Sequence, residues 1–101
     1  MIYHKLIRDK IPEIIATSGK TCRTEIMNDT DYLAAIDEKL GEELAEYREA
    51  HSLEELADLL EVLYAAARAN GYTVEDLHEA RRQKEAERGG FQKKLRLLEV
   101  K

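Results

Sequence analysis

The sequence KLGEELAEYREAHSLEELADLLEVLYAA, from Lys39 to Ala66, decides the fold. It contains two consecutive helix-forming segments, and each carries a pair of acidic residues three positions apart. The pairs are Glu43 with Glu46 and Glu55 with Asp58. Residues three apart lie on the same side of a helix, about 5–6 Å from each other. Because adjacent helices joined by a short loop pack antiparallel, we expect the four carboxylates to converge on one point.

Four converging carboxylates repel one another unless cations neutralise them. Hard divalent metal ions prefer oxygen ligands of this kind. The spacing therefore predicts a magnesium site, and magnesium in turn suggests phosphate chemistry. The alternative is a solvated surface, because Glu-rich helices are common and the pattern E-x-x-E usually faces water. In addition, Ser52 to Glu55 reads as a capping box, which would engage the Glu55 side chain with a backbone N–H instead of a metal.

Start and stop signals predict four helices along the chain. Pro12 favours a short helix in its first turn, Asn28 to Asp31 offers N-cap candidates for a long one, and Thr73 opens the last. Glycines at the ends, including Gly89-Gly90, are plausible stops. The predicted ranges are Ile11–Thr17, Leu33–Ala50 with an N-cap among Asn28 to Asp31, Ser52–Asn70 and Thr73–Arg88.

Helical wheels, drawn at about 100° per residue, separate inward from outward positions. On the long helix, the apolar stripe consists of Leu33, Ile36, Leu40, Leu44 and Tyr47, with Glu43 on its flank and Glu46 just beyond. On the next helix, one stripe consists of Leu53, Leu56, Leu60, Leu63 and Ala67. A second apolar face of that helix carries Val62, Ala65, Ala66 and Ala69, and Glu55 and Asp58 head this face. A helix that is apolar on two sides is expected to be buried on two sides, so these two acids would be partly desolvated.

Two further segments alternate in part between apolar and polar residues. Thr21 to Met27 is predicted as a short strand, and Phe91 to Val100 could pair with it as a closing strand. The predicted fold is a single domain over residues 1–101, mainly α. It is an antiparallel helical bundle with the Thr73–Arg88 helix packed across the central pair, and the β element would come from the N- and C-terminal regions.

Composition bounds the function. The 101 residues are 44% hydrophobic and 37% charged, with a net charge of −5 that argues against a nucleic-acid binder. Cys22 is the only cysteine, which excludes an intrachain disulfide and a cysteine-based zinc cluster. We find no signal segment and no apolar run near 18 residues, so no membrane partner is expected and the cytoplasm is the default compartment. The excess of apolar helix faces favours a homodimer or a higher homo-oligomer.

Basic residues near both ends of the chain are candidates for binding phosphate. Lys84 and Arg88 lie four apart, immediately before two glycines that would let the backbone approach a polyphosphate; alternatively, they complement the helix macrodipole before an ordinary glycine stop. Arg8 and Lys10 carry the same ambiguity, with a solvated turn as the alternative. By spacing, the tyrosines belong to the core or its edge, and they are Tyr3, Tyr32, Tyr47, Tyr64 and Tyr72.

The combination of motifs resembles the superfamily of all-α nucleoside triphosphate pyrophosphohydrolases, which includes the MazG-like proteins and the phosphoribosyl-ATP pyrophosphohydrolases. Its hallmark is E-E-x-x-E followed one helix later by E-x-x-D, and here these read EELAE at 42–46 and ELAD at 55–58. The stretch KLIRDKIP at 5–12 and RGGF at 88–91, preceded by Lys84, are similar to one subfamily described as predicted house-cleaning pyrophosphohydrolases. The resemblance thus spans nearly the whole chain.

The resemblance implies Mg²⁺-dependent hydrolysis of a nucleoside triphosphate to the monophosphate and pyrophosphate, with Mn²⁺ as an alternative ion. Carried over by position, the metal-binding and catalytic residues are Glu43, Glu46, Glu55 and Asp58. Glu42 matches the first acid of the motif but points away on the wheel, so its role is lesser. The substrate-binding candidates are Lys84, Arg88, Arg8 and Lys10. The family also implies a homo-oligomer.

Two other functions stay open. The histidine that phosphoribosyl-ATP enzymes commonly carry just after the second motif is missing, because Glu61-Val62 stands in that region. This departure disfavours that substrate and favours a less defined nucleotide. The second alternative is a non-catalytic helical module that binds a protein partner through its two-sided helix.

Overall fold

The computed structural model describes residues 4–101 and contains four helices there. They are α1 (Ile11–Thr17), α2 (Asp29–Ala50), α3 (Leu53–Ala69) and α4 (Val74–Arg88). The bounds of α1, α3 and α4 confirm the predicted ones to within one residue at each end. Helix α2 begins at Asp29, four residues before the predicted Leu33 but within the predicted N-cap range, and ends at the predicted Ala50. Tyr3 lies outside the described residues, so its predicted position in the core stays a prediction. Across the described part of the chain, no helix has both the length and the apolar character that a membrane span requires.

A tight turn joins α2 to α3. Only His51 and Ser52 separate the two helices, and His51 adopts the left-handed conformation (φ 50°) while its N–H donates to the Tyr47 carbonyl at 2.7 Å. The His51 ring also lies edge-on to the Tyr47 ring, with 5.0 Å between centroids. Because the link is only two residues long, the two helices run antiparallel, as predicted.

The N-terminus of α3 differs from the prediction. Ser52 Oγ accepts a hydrogen bond from the Glu55 N–H at 3.3 Å, but the reciprocal bond to the Glu55 carboxylate does not form. The complete capping box belongs to α4, where Thr73 Oγ1 accepts from the Asp76 N–H at 3.0 Å and Asp76 Oδ2 accepts from the Thr73 N–H at 2.9 Å. The Glu55 side chain is therefore not held by its own helix end.

The core lies between α2 and α3. Ile36 of α2 and Val62 of α3 are its buried apolar residues among those described. The alanines of the Val62 face are partly buried, which identifies this face as the one that meets α2. The opposite face, which we call the leucine stripe, is 42–78% exposed and consists of Leu53, Leu56, Leu60 and Leu63. The prediction that α3 is buried on both sides is wrong for the single chain, because no second layer among residues 4–101 covers the leucine stripe.

Helix α4 does not pack across the pair. It contacts α3 and has no comparable contact with α2, and its partly buried residues, Val74, Leu77 and His78, all lie in its first turns. His78 anchors this end, since its Nε2 lies 3.0 Å from the hydroxyl oxygen of Tyr64 on α3. The rest of α4 extends into solvent, so one chain does not complete the predicted bundle.

The predicted β element is also not formed. Residues 4–101 contain no strand, and both Thr21–Met27 and Phe91–Val100 lack regular secondary structure. Ile26 and Phe91 are almost fully exposed, so neither segment has an apolar surface to pack against. A two-stranded element without such packing is at best marginally stable in water, which explains the failure of the alternation signal.

Candidate metal centre

Four acidic side chains from α2 and α3 meet at one point. Glu43 and Glu46 come from the C-terminal half of α2, and Glu55 and Asp58 come from the first two turns of α3. Each offers one carboxylate oxygen, and these four atoms all lie within 4.8 Å of one another. The predicted convergence is therefore confirmed, and we call this group the acid cluster. Its position follows from the short turn, which sets the two i,i+3 pairs face to face.

Two oxygens of the acid cluster are buried without a hydrogen-bond partner in the described structure. They are Glu43 Oε2 on α2 and Glu55 Oε2 on α3. Glu43 as a whole is only 6% exposed. A buried carboxylate oxygen that has lost its water and gained no partner destabilises the fold. The two atoms therefore indicate a ligand between the helices, and the solvated-surface alternative does not describe Glu43.

The protonation of Glu43 reflects the same crowding. Burial raises the pKa of its carboxyl group above the ordinary value of 4.5, and the neighbouring carboxylate of Glu46 raises the pKa further. The ammonium group of Lys39 acts in the opposite direction. Because the two raising causes prevail, Glu43 holds its proton to a higher pH than a free glutamate, and a bound cation would release that proton.

Two cations hold the rim of the acid cluster. Arg8 Nη2, from the segment before α1, donates to Asp58 Oδ1 at 2.7 Å. Lys39 Nζ lies 3.4 Å from Glu43 Oε1 and 3.3 Å from Glu42 Oε1, and the Lys39 side chain is largely buried. Sequence reasoning assigned no role to Lys39. The signal was its i,i+4 spacing to Glu43, which places the two side chains on one helix face.

The acid cluster fits a hard divalent cation. All of its donors are carboxylate oxygens, the ligand type that Mg²⁺ and Ca²⁺ take. With bonds of about 2.1 Å to Mg²⁺, opposite oxygens of an octahedral site lie about 4.2 Å apart. The observed limit of 4.8 Å exceeds this by an amount that side-chain rotation can absorb. The two unpartnered oxygens, Glu43 Oε2 and Glu55 Oε2, are the donors that most require such a ligand.

The predicted phosphate-binding residues do not all reach the acid cluster. Arg8 does, through its bond to Asp58. Lys10 is exposed at the N-cap of α1, and Lys84 is exposed on α4. Arg88 lines a cleft at the end of α4 together with Gly89 to Leu95, and none of the four acids lines it. Within the described chain, the roles of Lys10, Lys84 and Arg88 stay predictions.

Comparisons with known proteins add little to this geometry. No family model matches the chain, and no solved structure matches it. The chain is 50% identical over 46 residues to an uncharacterized protein of Mycolicibacterium smegmatis, a match that covers 46% of this chain and 47% of the relative. The match thus spans about half the length of each protein, and the relative carries no named activity. The chemistry of the acid cluster therefore follows from its own residues.

Proposed function

We propose that the protein is a Mg²⁺-dependent hydrolase, with Mn²⁺ as an alternative ion, that cleaves a nucleoside triphosphate or a close relative to the monophosphate and pyrophosphate. One observation carries the proposal: Glu43 Oε2 and Glu55 Oε2 are buried without a partner, and their carboxylates belong to a group of four, each of which offers one oxygen within 4.8 Å of the others. The nucleotide substrate rests on the resemblance of the acidic motifs, and the compartment, the cytoplasm, stays a prediction.

The four acids would hold the ion from both helices at once. When bound there, Mg²⁺ supplies the chemistry that carboxylates lack, because it activates a water and offsets charge on the leaving pyrophosphate. Catalysis of this kind is mostly positioning and electrostatics, so the rigidity of the α2–α3 pair matters as much as its charge. Lys39 would fix Glu43 by holding Oε1, which leaves the buried Oε2 free to bind the ion.

Arg8 is the best-placed group to receive phosphate. Its guanidinium lies beside Asp58, and the side chain is about half exposed, so part of its donor fork faces solvent. A guanidinium donates to phosphate oxygens in a planar, bidentate geometry. Lys10, Lys84 and Arg88 are proposed as further phosphate contacts, and the variants R8A and K10A would rank the two N-terminal candidates by their effect on KM.

The test is pyrophosphate release from a panel of nucleotides, including phosphoribosyl-ATP, in the presence of Mg²⁺ or Mn²⁺. We expect turnover of at least one nucleotide and a loss of about 100-fold or more in Glu43→Gln, because changing even the residues that support metal ligands costs about 10–100-fold. Glu49→Gln is the matched control, since Glu49 lies on the same helix, is exposed and is outside the acid cluster. Absence of turnover by the wild type with every nucleotide would refute the proposal.

A non-catalytic interaction module is the second candidate, and the exposure of the leucine stripe favours it. In that case Glu55→Ala and Asp58→Ala would be harmless or stabilising, since they relieve repulsion between carboxylates. A hydrolase would instead lose metal binding with either change. Melting curves of the two variants with and without Mg²⁺ separate the candidates, because only a metal site makes the melting temperature respond to the ion.

A further inference from the structure

The chain exposes far more surface than its size allows for a folded monomer. Its accessible area is 9419 Å², whereas a monomeric globular protein of 11.6 kDa exposes about 5,800 Å². The excess is about 3,600 Å², and an obligate homodimer buries about 1,000–2,500 Å² on each chain. A second copy of this chain would therefore account for about 30–70% of the excess.

Two apolar surfaces contribute to this excess. The first is the leucine stripe of α3, on the helix that also supplies Glu55 and Asp58. The second is the segment that follows α4, residues 89–101, which we call the basic tail. Its apolar side chains are 79–98% exposed, and they are Phe91, Leu95, Leu97, Leu98 and Val100. Because both surfaces are exposed in the same chain, the basic tail does not cover the leucine stripe of its own chain.

The charges around the two surfaces are complementary. The α2–α3 pair, residues 29–69, carries twelve acidic and three basic side chains, a net charge of −9. The basic tail carries four basic side chains and one acidic one, a net charge of +3. Two leucine stripes facing each other would bring two strongly acidic hairpins together, which like-charge repulsion disfavours. A leucine stripe facing a basic tail pairs apolar surface with apolar surface and opposite charges at the rim.

We propose that the protein is a homodimer in which the basic tail of each copy covers the leucine stripe of the other. The basic tail is long enough for this arrangement. The leucine stripe runs over eleven residues, Leu53 to Leu63, or about 16 Å of helix. The ten residues from Phe91 to Val100 reach about 33 Å when extended. The dimer places an intermolecular contact on the same helix as half of the acid cluster, and it goes beyond the proposed hydrolysis because it does not depend on any activity.

The test is the molar mass in solution, measured by light scattering over a range of concentrations without metal or nucleotide. We expect the wild type at twice the chain mass, and the double variant Leu56→Gln, Leu60→Gln to dissociate at concentrations at least tenfold higher. The matched control is Glu54→Gln, Glu61→Gln, which places the same two amides at exposed positions of the same helix outside the leucine stripe and should stay dimeric. Circular dichroism checks that both variants keep their helix content.

A second double variant tests whether the basic tail is the segment that covers the leucine stripe. Leu95→Gln with Leu97→Gln in the basic tail should weaken the dimer as the changes in the leucine stripe do. If the changes in the leucine stripe dissociate the dimer and the changes in the basic tail do not, the two leucine stripes cover each other and the proposed occupant is wrong. A wild type that is monomeric at every concentration, or a dimer insensitive to the leucine stripe, would also overturn the proposal. Glu43→Gln should stay dimeric, so failure of the hydrolase proposal and failure of the dimer proposal are separate results.

Discussion

The two halves of the molecule contrast in both charge and packing. The α2–α3 hairpin holds the buried residues Ile36, Glu43 and Val62 and concentrates the acidic side chains. The last helix and the basic tail contain no buried residue, although the basic tail is rich in leucine and in cations. The hairpin thus holds a charged side chain inside the protein, and the C-terminal half leaves its apolar side chains exposed, as the proposed dimer requires.

This difference shows how so small a chain tolerates buried carboxylates. The hairpin places Glu43 and Glu55 at a packed interface, where a cation can bind both. The C-terminal half keeps its hydrophobic side chains available, because its contacts with α3 are confined to the first turns of α4. We therefore expect substitutions in the hairpin to act within one chain, and substitutions in the C-terminal half to act through assembly.

The largest contrast should come from truncating one aliphatic side chain in each half. Ile36→Ala removes the most deeply buried side chain of the hairpin and should lower the free energy of unfolding by about 2–5 kcal/mol. Leu98→Ala, in the exposed tail, should change it by less than about 0.5 kcal/mol in dilute solution. Urea unfolding measures both, at a protein concentration low enough for light scattering to show only the monomer. Equal losses would mean that the tail is packed within its own chain, and the contrast between the halves would disappear.

The next largest contrast should come from two adjacent glutamates on α3, Glu54 and Glu55, of which only Glu55 belongs to the acid cluster. Mg²⁺ at about a hundred times its dissociation constant should stabilise the wild type by about 2.7 kcal/mol. Glu55→Gln should remove most of this gain, because Glu55 Oε2 is one of the two unpartnered oxygens. Glu54→Gln should keep the gain, since Glu54 is exposed and outside the acid cluster. Melting curves with and without Mg²⁺ measure the stabilisation by the ion in each variant. A loss of this stabilisation in both variants would argue for nonspecific ion binding by the acidic hairpin.

The sequence predicts the helices well and their packing poorly. Local signals such as Pro12, Asn28 and Thr73 act within a few residues of chain, so they locate helix ends without knowledge of the rest of the fold. The burial of the leucine stripe and the pairing of Phe91–Val100 depend on surfaces far away in sequence, or in another chain. The helical wheel identifies an apolar face, but it does not say what covers that face.

The acid cluster was predictable because its geometry is local. Two i,i+3 pairs on helices joined by two residues lie close together, so spacing and the helical wheels pointed to Glu43, Glu46, Glu55 and Asp58. Spacing alone left the solvated surface open as the alternative. The supporting cations were harder to predict. The bond from Arg8 to Asp58 closes a separation of 50 residues, which no local pattern encodes. Lys39 was missed because a lysine next to glutamates on a charged helix is ordinarily a surface residue.

The pH dependence of stability should reveal Glu43 in the absence of divalent ions. Its pKa is raised by burial and by Glu46 in the folded protein, so the folded state binds more protons than the unfolded state as the pH rises from about 4.5 through the folded pKa. Stability should therefore fall over this window and stay lower above it. Glu43→Gln removes the titrating group and should flatten this part of the profile. Glu49→Gln should keep it.

Urea midpoints measured with a chelator across this window give the comparison. The difference between the wild type and Glu43→Gln isolates the contribution of one carboxyl group from those of the other acids. If the difference is independent of pH, Glu43 titrates as an ordinary surface glutamate and the acid cluster is not desolvated. If the difference grows with pH and disappears when Mg²⁺ replaces the chelator, the same carboxylate binds the ion.

The smallest effects should come from the helix caps, and they test whether α4 belongs to the same cooperative unit as α3. Ser52→Ala and Thr73→Ala each remove one side-chain hydrogen bond, to the Glu55 N–H and to the Asp76 N–H, worth about 1 kcal/mol. Because α3 is packed against α2, the loss at Ser52 should lower the global unfolding free energy.

Because α4 contacts α3 only through its first turns, the loss at Thr73 should instead raise amide exchange in α4 about fivefold and leave the global midpoint nearly unchanged. Should Thr73→Ala lower the midpoint as much as Ser52→Ala, α4 unfolds together with the hairpin, and the division of the chain into a packed half and an open half is wrong.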